Sequence, residues 1–225
     1  MGAAGDFPID LVILGGVALF LILRLRSILG RREGFERPTD ATRTADPRAQ
    51  GNTAIRPAEA AAVQPQASSR IVPDPATPAG QGLAEIHAID QSVRPDQFLD
   101  GAEGAFRIIV AAFAAGDRVA LRPLLSDDTY RAFETAIAAR ETAGETQRTE
   151  IRAIPAATIE HAALHDRTGS IIVRFVSDQV NITLDHAGNP VVGTDAVTEI
   201  TDLWTFERAL GTSDPAWRLA AARSA

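Results

Sequence analysis

Cysteine and lysine are both absent from this chain of 225 residues. Without cysteine there can be no disulfide, thiolate zinc site, iron–sulfur cluster or cysteine nucleophile. Without lysine there can be neither a Schiff-base intermediate nor the phosphate-binding loop of a Walker-type nucleotide site. Histidine is scarce as well, since the chain contains only His87, His161, His165 and His186. The sequence therefore predicts no metal site and no bound cofactor.

Charge is distributed unevenly along the chain. Residues 82–225 contain 21 Asp or Glu against 13 Arg, whereas residues 1–81 contain 8 acidic residues against 9 Arg. A domain as acidic as the second part is repelled by the phosphate backbone of a nucleic acid. We therefore expect no nucleic-acid partner. The length allows one ordinary domain and additional segments beside it.

One apolar run near the N-terminus is long enough to suggest a membrane span. Residues 7–23 are interrupted only by Asp10, and as a helix they would extend about 25 Å. A buried core helix would show a polar face, which is missing here. A cleaved signal peptide would carry its positive charge before the run instead of after it. We therefore predict a transmembrane anchor. Its apolar positions include Leu11, Leu14, Phe20 and Leu23.

Arginines directly after this run orient the predicted anchor. Arg24 and Arg26 follow it, and Arg31 and Arg32 lie a few residues further on, whereas Asp6 precedes it. Positively charged flanks stay on the cytoplasmic side of a bacterial-type membrane. The sequence thus predicts a single-pass protein of the bacterial inner membrane, with the N-terminus outside and the rest of the chain in the cytoplasm.

Between residues 33 and 81 the composition changes to that of a linker. Seven prolines occur here, separated mainly by Ala, Thr, Gln, Asp and Arg, with few aliphatic side chains. Such a segment cannot bury enough apolar surface to offset the entropy of ordering it. We therefore divide the chain into an anchor with an arginine-rich flank (1–32), a disordered tether (33–81) and a folded domain (82–225).

Helical periodicity occupies the first part of the predicted domain. The predicted helices cover residues 83–89, 95–116, 117–125 and 126–144. Apolar residues recur in the longest of them at intervals of three and four, which indicates one buried face. Ser126 is a favourable N-cap for the last helix. Gly101 and Gly104 predict a close approach of the longest helix to a sheet.

After residue 144 the apolar residues recur with the period of two that is typical of strands. The predicted strands cover residues 146–154, 158–165, 170–184 and 197–208, followed by a last strand with Trp217, Leu219 and Ala221. Helices followed by a run of strands predict an α+β domain, in which the helices pack on one face of a curved antiparallel sheet.

The strand around Trp204 contains the candidate chemical group. Because side chains alternate between the two faces of a strand, Ile200, Asp202, Trp204 and Phe206 share one face. Its large apolar side chains predict that this is the inner face. A carboxyl group in such surroundings can act as an acid or base, especially if Tyr130 or His161 lies close enough to assist the proton transfer. The alternative is a structural Asp that bonds to the backbone or pairs with an Arg.

His161 and His165 do not form a metal site on this interpretation. In a strand the two side chains point to the same side but lie about 13 Å apart, too far to share an ion. A helix would bring them together, but the strand-like sequence around them and the turn after them argue against a helix.

Four segments of the domain together resemble a known family. They are FLDGAEGAFRIIVAAFAAGD (98–117), LRPLLSDDTYRAFETAI (121–137), VRFVSDQVNIT (173–183) and TEITDLWTFERALGTSDPAWRLAAAR (198–223). In this order they resemble the C-terminal domain of the 44-kDa subunit of the mitochondrial inner-membrane translocase. The resemblance is greatest to its alphaproteobacterial branch, whose members share a single N-terminal anchor, an arginine cluster and a Pro-rich tether.

The resemblance implies a cone-shaped fold of the nuclear transport factor two type, in which helices and a curved sheet enclose an apolar pocket. It also implies the role of a membrane-proximal adaptor. We expect Phe106, Ile109, Phe113, Tyr130, Ile200, Asp202, Trp204 and Phe206 to line the pocket and to bind a protein partner or a lipid acyl chain.

The leading hypothesis is thus a membrane-tethered, non-enzymatic adaptor, linked to protein translocation or the handling of membrane proteins. The alternative is an isomerase or dehydratase, because the same type of fold houses enzymes that use a carboxylate in the pocket. Fold alone does not decide between them. A periplasmic solute-binding domain would require the opposite topology and conflicts with the position of the arginines.

Overall fold

The computed structural model describes residues 68–225. The helices are α1 (Pro78–Ile89), α2 (Pro95–Ala115), α3 (Arg118–Leu121) and α4 (Asp127–Thr142). The strands are β1 (Ser69–Ile71), β2 (Thr146–His165), β3 (Thr168–Leu184), β4 (Pro190–Ala209) and β5 (Arg218–Ser224). The expected α+β architecture is confirmed: one strand and four helices are followed by four further strands, and all five strands form a single sheet.

Local signals in the sequence set the ends of the helices. The hydroxyl of Thr77 accepts a hydrogen bond from the N–H of Gly80 at the start of α1, and Ser126 accepts one from the N–H of Thr129 at the start of α4. Gly116 ends α2 with φ of 72°, a left-handed conformation that a residue without a Cβ adopts most easily. The predicted N-cap at Ser126 and the predicted end of the long helix are confirmed.

The sheet is mixed, so the prediction of a purely antiparallel sheet was wrong. Its strands follow the order β1-β2-β3-β4-β5, and β2 to β5 pair antiparallel. The first strand, β1, pairs parallel with β2, with Ser69 opposite Ala156 and Ile71 opposite Thr158. A parallel pair requires a crossover, and α1, α2, α3 and α4 provide it here.

The second strand is continuous where the sequence predicted a break. The prediction placed separate strands at 146–154 and 158–165. Pro155 lies between them and lacks the N–H that a central strand needs. In the structure β2 runs through this point with register irregularities between Ile151 and Ala153 and between Ala153 and Ala156. Such bulges accommodate Pro155 without ending the strand.

The folded part begins before the predicted boundary at residue 82. Both β1 and the first turn of α1 lie within the range 33–81 that composition marks as a linker. Polar contacts to α2, described below, order this segment where apolar burial does not. The predicted anchor (7–23), its flanking arginines and the tether up to residue 67 lie outside the described residues. Within residues 68–225 no helix combines the length and apolarity needed to cross a bilayer.

Glycine permits one close contact between helix and sheet, but not at the predicted positions. A Cβ on Gly82 of α1 would lie 1.9 Å from the carbonyl oxygen of Ala162 in β2. No atom lies within 4 Å of a Cβ placed on Gly101 or Gly104, so the expected close approach of α2 at these two residues was wrong. The helix that touches the backbone of the sheet is α1.

We predict opposite effects for two Gly→Ala substitutions in helices. Gly82→Ala should lower the free energy of unfolding by about 1–3 kcal/mol, since the methyl group meets backbone that cannot rotate away. Gly101→Ala, the matched control, should raise it by about 0.5–1 kcal/mol, because Ala has the better helix propensity and meets no obstacle. Urea denaturation of the two variants measures both values. A stabilised Gly82→Ala variant would show that α1 does not lie against Ala162.

Candidate functional site

Aromatic rings fill the space between α2 and the inner face of the sheet, which is the face that the helices cover. The ring of Phe106 lies 4.5 Å from that of Phe175 in β3 and 4.6 Å from that of Trp204 in β4, measured between centroids. Phe98 meets Phe206 edge to face at 5.9 Å. All of these side chains are buried. They constitute the centre of the hydrophobic core.

Most of the residues that were expected to line a pocket belong to this core. Phe106, Ile109, Phe113, Trp204 and Phe206 are all buried and part of one hydrophobic cluster. The structure therefore brings them together, and their side chains pack against one another. The two cavities described below are lined by other residues. That this group binds a partner or a lipid chain stays a prediction.

The three remaining residues of the expected pocket have different surroundings. Asp202 is fully buried, opposite Phe175 in the register of β3 and β4. Ile200 is half-buried two residues before it on the same face. Tyr130 of α4 is half-buried against the edge of the core, with the guanidinium of Arg122 4.8 Å from the centre of its ring.

His161 is not in a position to help Asp202. It is exposed and lies opposite Ile172 in β3, whereas its neighbour Ala162 is buried in the core opposite Ile171. The imidazole is thus on the outer face of the sheet, and the carboxylate of Asp202 is on the inner face. A register irregularity between Ile159 and His161 contributes to this placement, and no pattern in the sequence identifies that irregularity.

Polar side chains continue the inner face beyond the aromatic rings. Ser177, Gln179, Asn181 and Thr183 alternate along β3 and are all buried. The amide of Gln179 donates to the hydroxyl of Ser177 at 2.7 Å. Buried polar groups are stable only when they form hydrogen bonds, and Asn181 accepts its own from Gln147 and Thr149 of β2.

Arg140 of α4 connects this polar region to the end of α2. Its guanidinium donates to Gln147 in β2 and to the carbonyl oxygens of Phe113 and Ala114, at 2.8 and 3.1 Å. Gln147 in turn donates to Asn181 at 3.2 Å. Burial lowers the pKa of the Arg140 guanidinium. The positive charge lies at the negative end of the α2 dipole, which is a stabilising position.

A cavity of about 460 Å³ lies between α1 and the segment that follows β1. The segment after β1 forms one wall with Val72, Pro73 and Pro75, and α1 forms the other with Leu83, Ala84 and His87. Ile71 and Val72 beside it are 48% and 37% exposed. The cavity thus continues into an apolar surface. We call residues 68–77, which run from the sheet edge to α1, the strap.

Polar contacts from α2 hold the strap in place. Glu103 is only 7% exposed. Its two carboxylate oxygens each lie 2.8 Å from the hydroxyl of Ser68, and the Nε of Arg70 donates to Oε1 at 2.8 Å. Arg70 also pairs with Asp100 at 2.6 Å. The hydrogen bond to Glu103 raises the pKa of the Arg70 guanidinium, so the arginine stays charged.

The strap was not predicted from the sequence, although one signal for it was present. Glu103 lies four residues after Leu99 and three before Phe106, on the apolar face of α2. A carboxylate at such a position has to find a buried partner. Its partners are 33 and 35 residues away in the sequence, in the segment that composition marks as a linker.

A second cavity, of about 420 Å³, lies between Arg122, Pro123, Leu125, Asp127 and Arg218. Both arginines already have carboxylate partners, Asp127 at 2.7 Å from Arg122 and Asp214 at 2.8 Å from Arg218. The positive charge that an anionic ligand would need is thus compensated within the protein. Nowhere in residues 68–225 do three or more His, Asp or Glu side chains gather as metal ligands.

A family model supports the resemblance that the sequence indicated. The Tim44-like domain model matches residues 79–224, which cover α1 to β5. The chain belongs to the Tim44-like domain family. The match includes Glu103 and the aromatic core and begins in the first turn of α1, so the whole strap lies outside the matched range.

Comparisons with individual proteins add little to this assignment. A solved structure that matches is the intermembrane space region of the chloroplast protein ARC6, with 10% sequence identity and a TM-score of 0.41. The match covers 56% of this chain and 95% of that one. No curated protein matches the chain. The Tim44-like model is therefore the basis of the functional proposal.

We predict that Trp204→Ala lowers the free energy of unfolding by about 3–5 kcal/mol, because it leaves a cavity at the centre of the aromatic cluster. Ile108→Ala, on the exposed side of α2, is the control and should change it by less than about 0.5 kcal/mol. Urea denaturation, followed by circular dichroism, measures both. A loss below about 1 kcal/mol for Trp204→Ala would contradict the role of this ring as a central core residue.

Proposed function

We propose that this chain is a membrane-tethered, non-enzymatic adaptor whose Tim44-like domain binds a protein partner in the cytoplasm, at the bacterial inner membrane. The observation that carries the proposal is the family match over residues 79–224, nearly the whole folded part. The order of anchor, arginine cluster, tether and domain in the sequence supports the attachment to the membrane. The cone shape of the nuclear transport factor two type is part of the same proposal.

Two features of the inner face favour an adaptor over an enzyme. The aromatic side chains that were expected to line a pocket pack against one another as core. His161, one of the two helpers considered for Asp202, lies on the other face of the sheet. Acid–base catalysis needs groups that converge on one reacting atom.

An isomerase or dehydratase is the second candidate, and one observation favours it. Asp202 is fully buried on the inner face, where Ser177 and Gln179 of the adjacent strand are buried as well. A carboxylate close to buried hydroxyl and amide groups has the chemical composition of a proton-transfer site. For the adaptor, a lipid acyl chain is the alternative to a protein partner as the ligand of the apolar side chains around Asp202.

The anchor is tested by fractionation. We expect the full chain to sediment with membranes, and a variant lacking residues 1–32 to stay in the supernatant with the circular dichroism of a folded domain. Protease added outside spheroplasts should leave the domain intact. An apolar transmembrane segment followed by arginines keeps its C-terminal side in the cytoplasm. Digestion of the domain under these conditions would overturn the topology.

Asp202→Asn distinguishes the two candidate functions in a strain that depends on the protein. In an adaptor this variant should support growth and recover crosslinked partner protein from native membranes as well as the unchanged protein does, because Asn has nearly the same shape. In an enzyme it should abolish growth support while the melting temperature and partner recovery stay within error. That second result would overturn the non-enzymatic proposal.

A further inference from the structure

The first strand of the sheet buries little apolar surface against the domain. It contains three residues, and the side chains of Ser69, Arg70 and Ile71 are all exposed. Apolar burial therefore contributes little to its binding. Backbone pairing with Ala156, Ala157 and Thr158 of β2 positions it along the sheet edge, and such an edge accepts any extended chain of suitable register.

The selective contacts come from α2. The guanidinium of Arg70 places Nε and one Nη opposite the two oxygens of Glu103, at 2.8 and 3.4 Å, and its other Nη reaches Asp100 at 2.6 Å. The hydroxyl of Ser68 adds a contact to the same carboxylate. This arrangement is complementary to a planar cation, and a planar, two-point match is specific to arginine.

We propose that the edge of β2 at residues 156–158, together with Glu103 and Asp100, is a docking site for an extended segment of a partner protein. That segment carries Ser or Thr two residues before Arg, as Ser68 and Arg70 do. In the free protein β1 occupies the site. The inference rests on the proposed adaptor function and specifies the chemistry of its partner.

Charge complementarity between the acidic residues of α2 and an arginine favours a segment of this kind as the ligand. Glu103 is almost buried, and Asp100 is one helical turn away on the same side of α2. A carboxylate withdrawn from water is costly unless a cation stays beside it. Any segment that replaces β1 must therefore supply a cation at the position of Arg70. A segment with only apolar side chains would leave Glu103 uncompensated.

The strap also extends the site beyond the ion pair. Directly after β1, Val72, Pro73 and Pro75 form one wall of the 460 Å³ cavity. A partner segment that displaces β1 alone leaves this wall in place, because Thr77 bonds to the backbone of Asp74 at 2.9 Å and Gly80 packs against the carbonyl oxygen of the same residue. Exchange at residues 68–71 thus needs no unfolding of α1.

Covalent attachment gives β1 an advantage over a partner. A segment joined by a short connection competes at an effective concentration in the millimolar range. A free segment with the same contacts consequently binds the unchanged protein weakly, and it binds well once the contacts of β1 are removed. The difference in affinity between these two proteins therefore reports binding at this site.

The experiment uses the full chain in lipid nanodiscs and a fluorescent peptide with the sequence of residues 66–73, QASSRIVP. Fluorescence anisotropy should show at least tenfold tighter binding to Arg70→Ala than to the unchanged protein. Arg70→Ala combined with Glu103→Gln should lose this gain. A peptide with Ala in place of its Arg should bind none of the three proteins.

Arg107→Ala is the matched control, because it removes an exposed arginine from the same helix, one turn after Glu103. It should bind the peptide as weakly as the unchanged protein does. Equal binding of both peptides to Arg70→Ala, or no gain over the unchanged protein, overturns the proposal. A dimer of the unchanged protein that the peptide dissociates also overturns it, because the occupant would then be a second copy.

If Arg70→Ala does not fold, as judged by its melting curve, hydrogen exchange of the unchanged protein replaces it. Millimolar peptide should speed exchange at residues 69–71 while residues 156–158 stay protected, and unaltered exchange at 69–71 overturns the proposal. The peptide-binding measurement depends neither on the membrane topology of the protein nor on the growth of the strain that requires it. Its failure therefore leaves the adaptor proposal standing, and failure of the adaptor tests leaves peptide binding measurable.

Discussion

The packing of α2 against the inner face of the sheet is the contact on which the other features depend. Phe106 touches both Phe175 of β3 and Trp204 of β4, so one side chain fixes the helix relative to two neighbouring strands. Close-packed rings of this size leave little freedom for sliding or rotation. The direction of every other side chain of α2 is then determined, including that of Glu103, which lies three residues before Phe106 and points to the edge of the sheet at β1.

This geometry explains why an ordered strap exists at all. Its apolar side chains are too exposed to stabilise it, and its composition is that of a linker. The strap is ordered because a nearly buried carboxylate on α2 needs a cation and Arg70 provides one. In an adaptor the location is significant, since any tether to the membrane joins the domain at this strap. A partner segment that displaced β1 would bind within a few residues of that junction.

The sequence was informative where a local rule acts alone and misleading where a distant contact overrides it. Ser126 caps the start of α4 and Gly116 ends α2 as expected, because capping depends on a few neighbouring residues. The inner face of β4 was likewise predictable from the alternation of Asp202, Trp204 and Phe206. Neither β1 nor the continuity of β2 was predictable. The first depends on Glu103, more than 30 residues away, and the second depends on bulges around Pro155 that have no sequence signature.

The apolar cavity beside α1 and the buried carboxylate of Glu103 differ in how strongly each can discriminate between ligands. An apolar cavity such as the one beside α1 discriminates weakly, since one methylene more or less changes binding by only about 1–3 kcal/mol. A carboxylate that is almost withdrawn from water discriminates more strongly, because a ligand without the matching cation leaves it uncompensated. The cavity and Glu103 lie at opposite ends of one short strap. In the proposed docking of a partner segment, the apolar cavity would therefore contribute breadth of binding, and the acidic residues of α2 would contribute selectivity for a segment that carries an arginine.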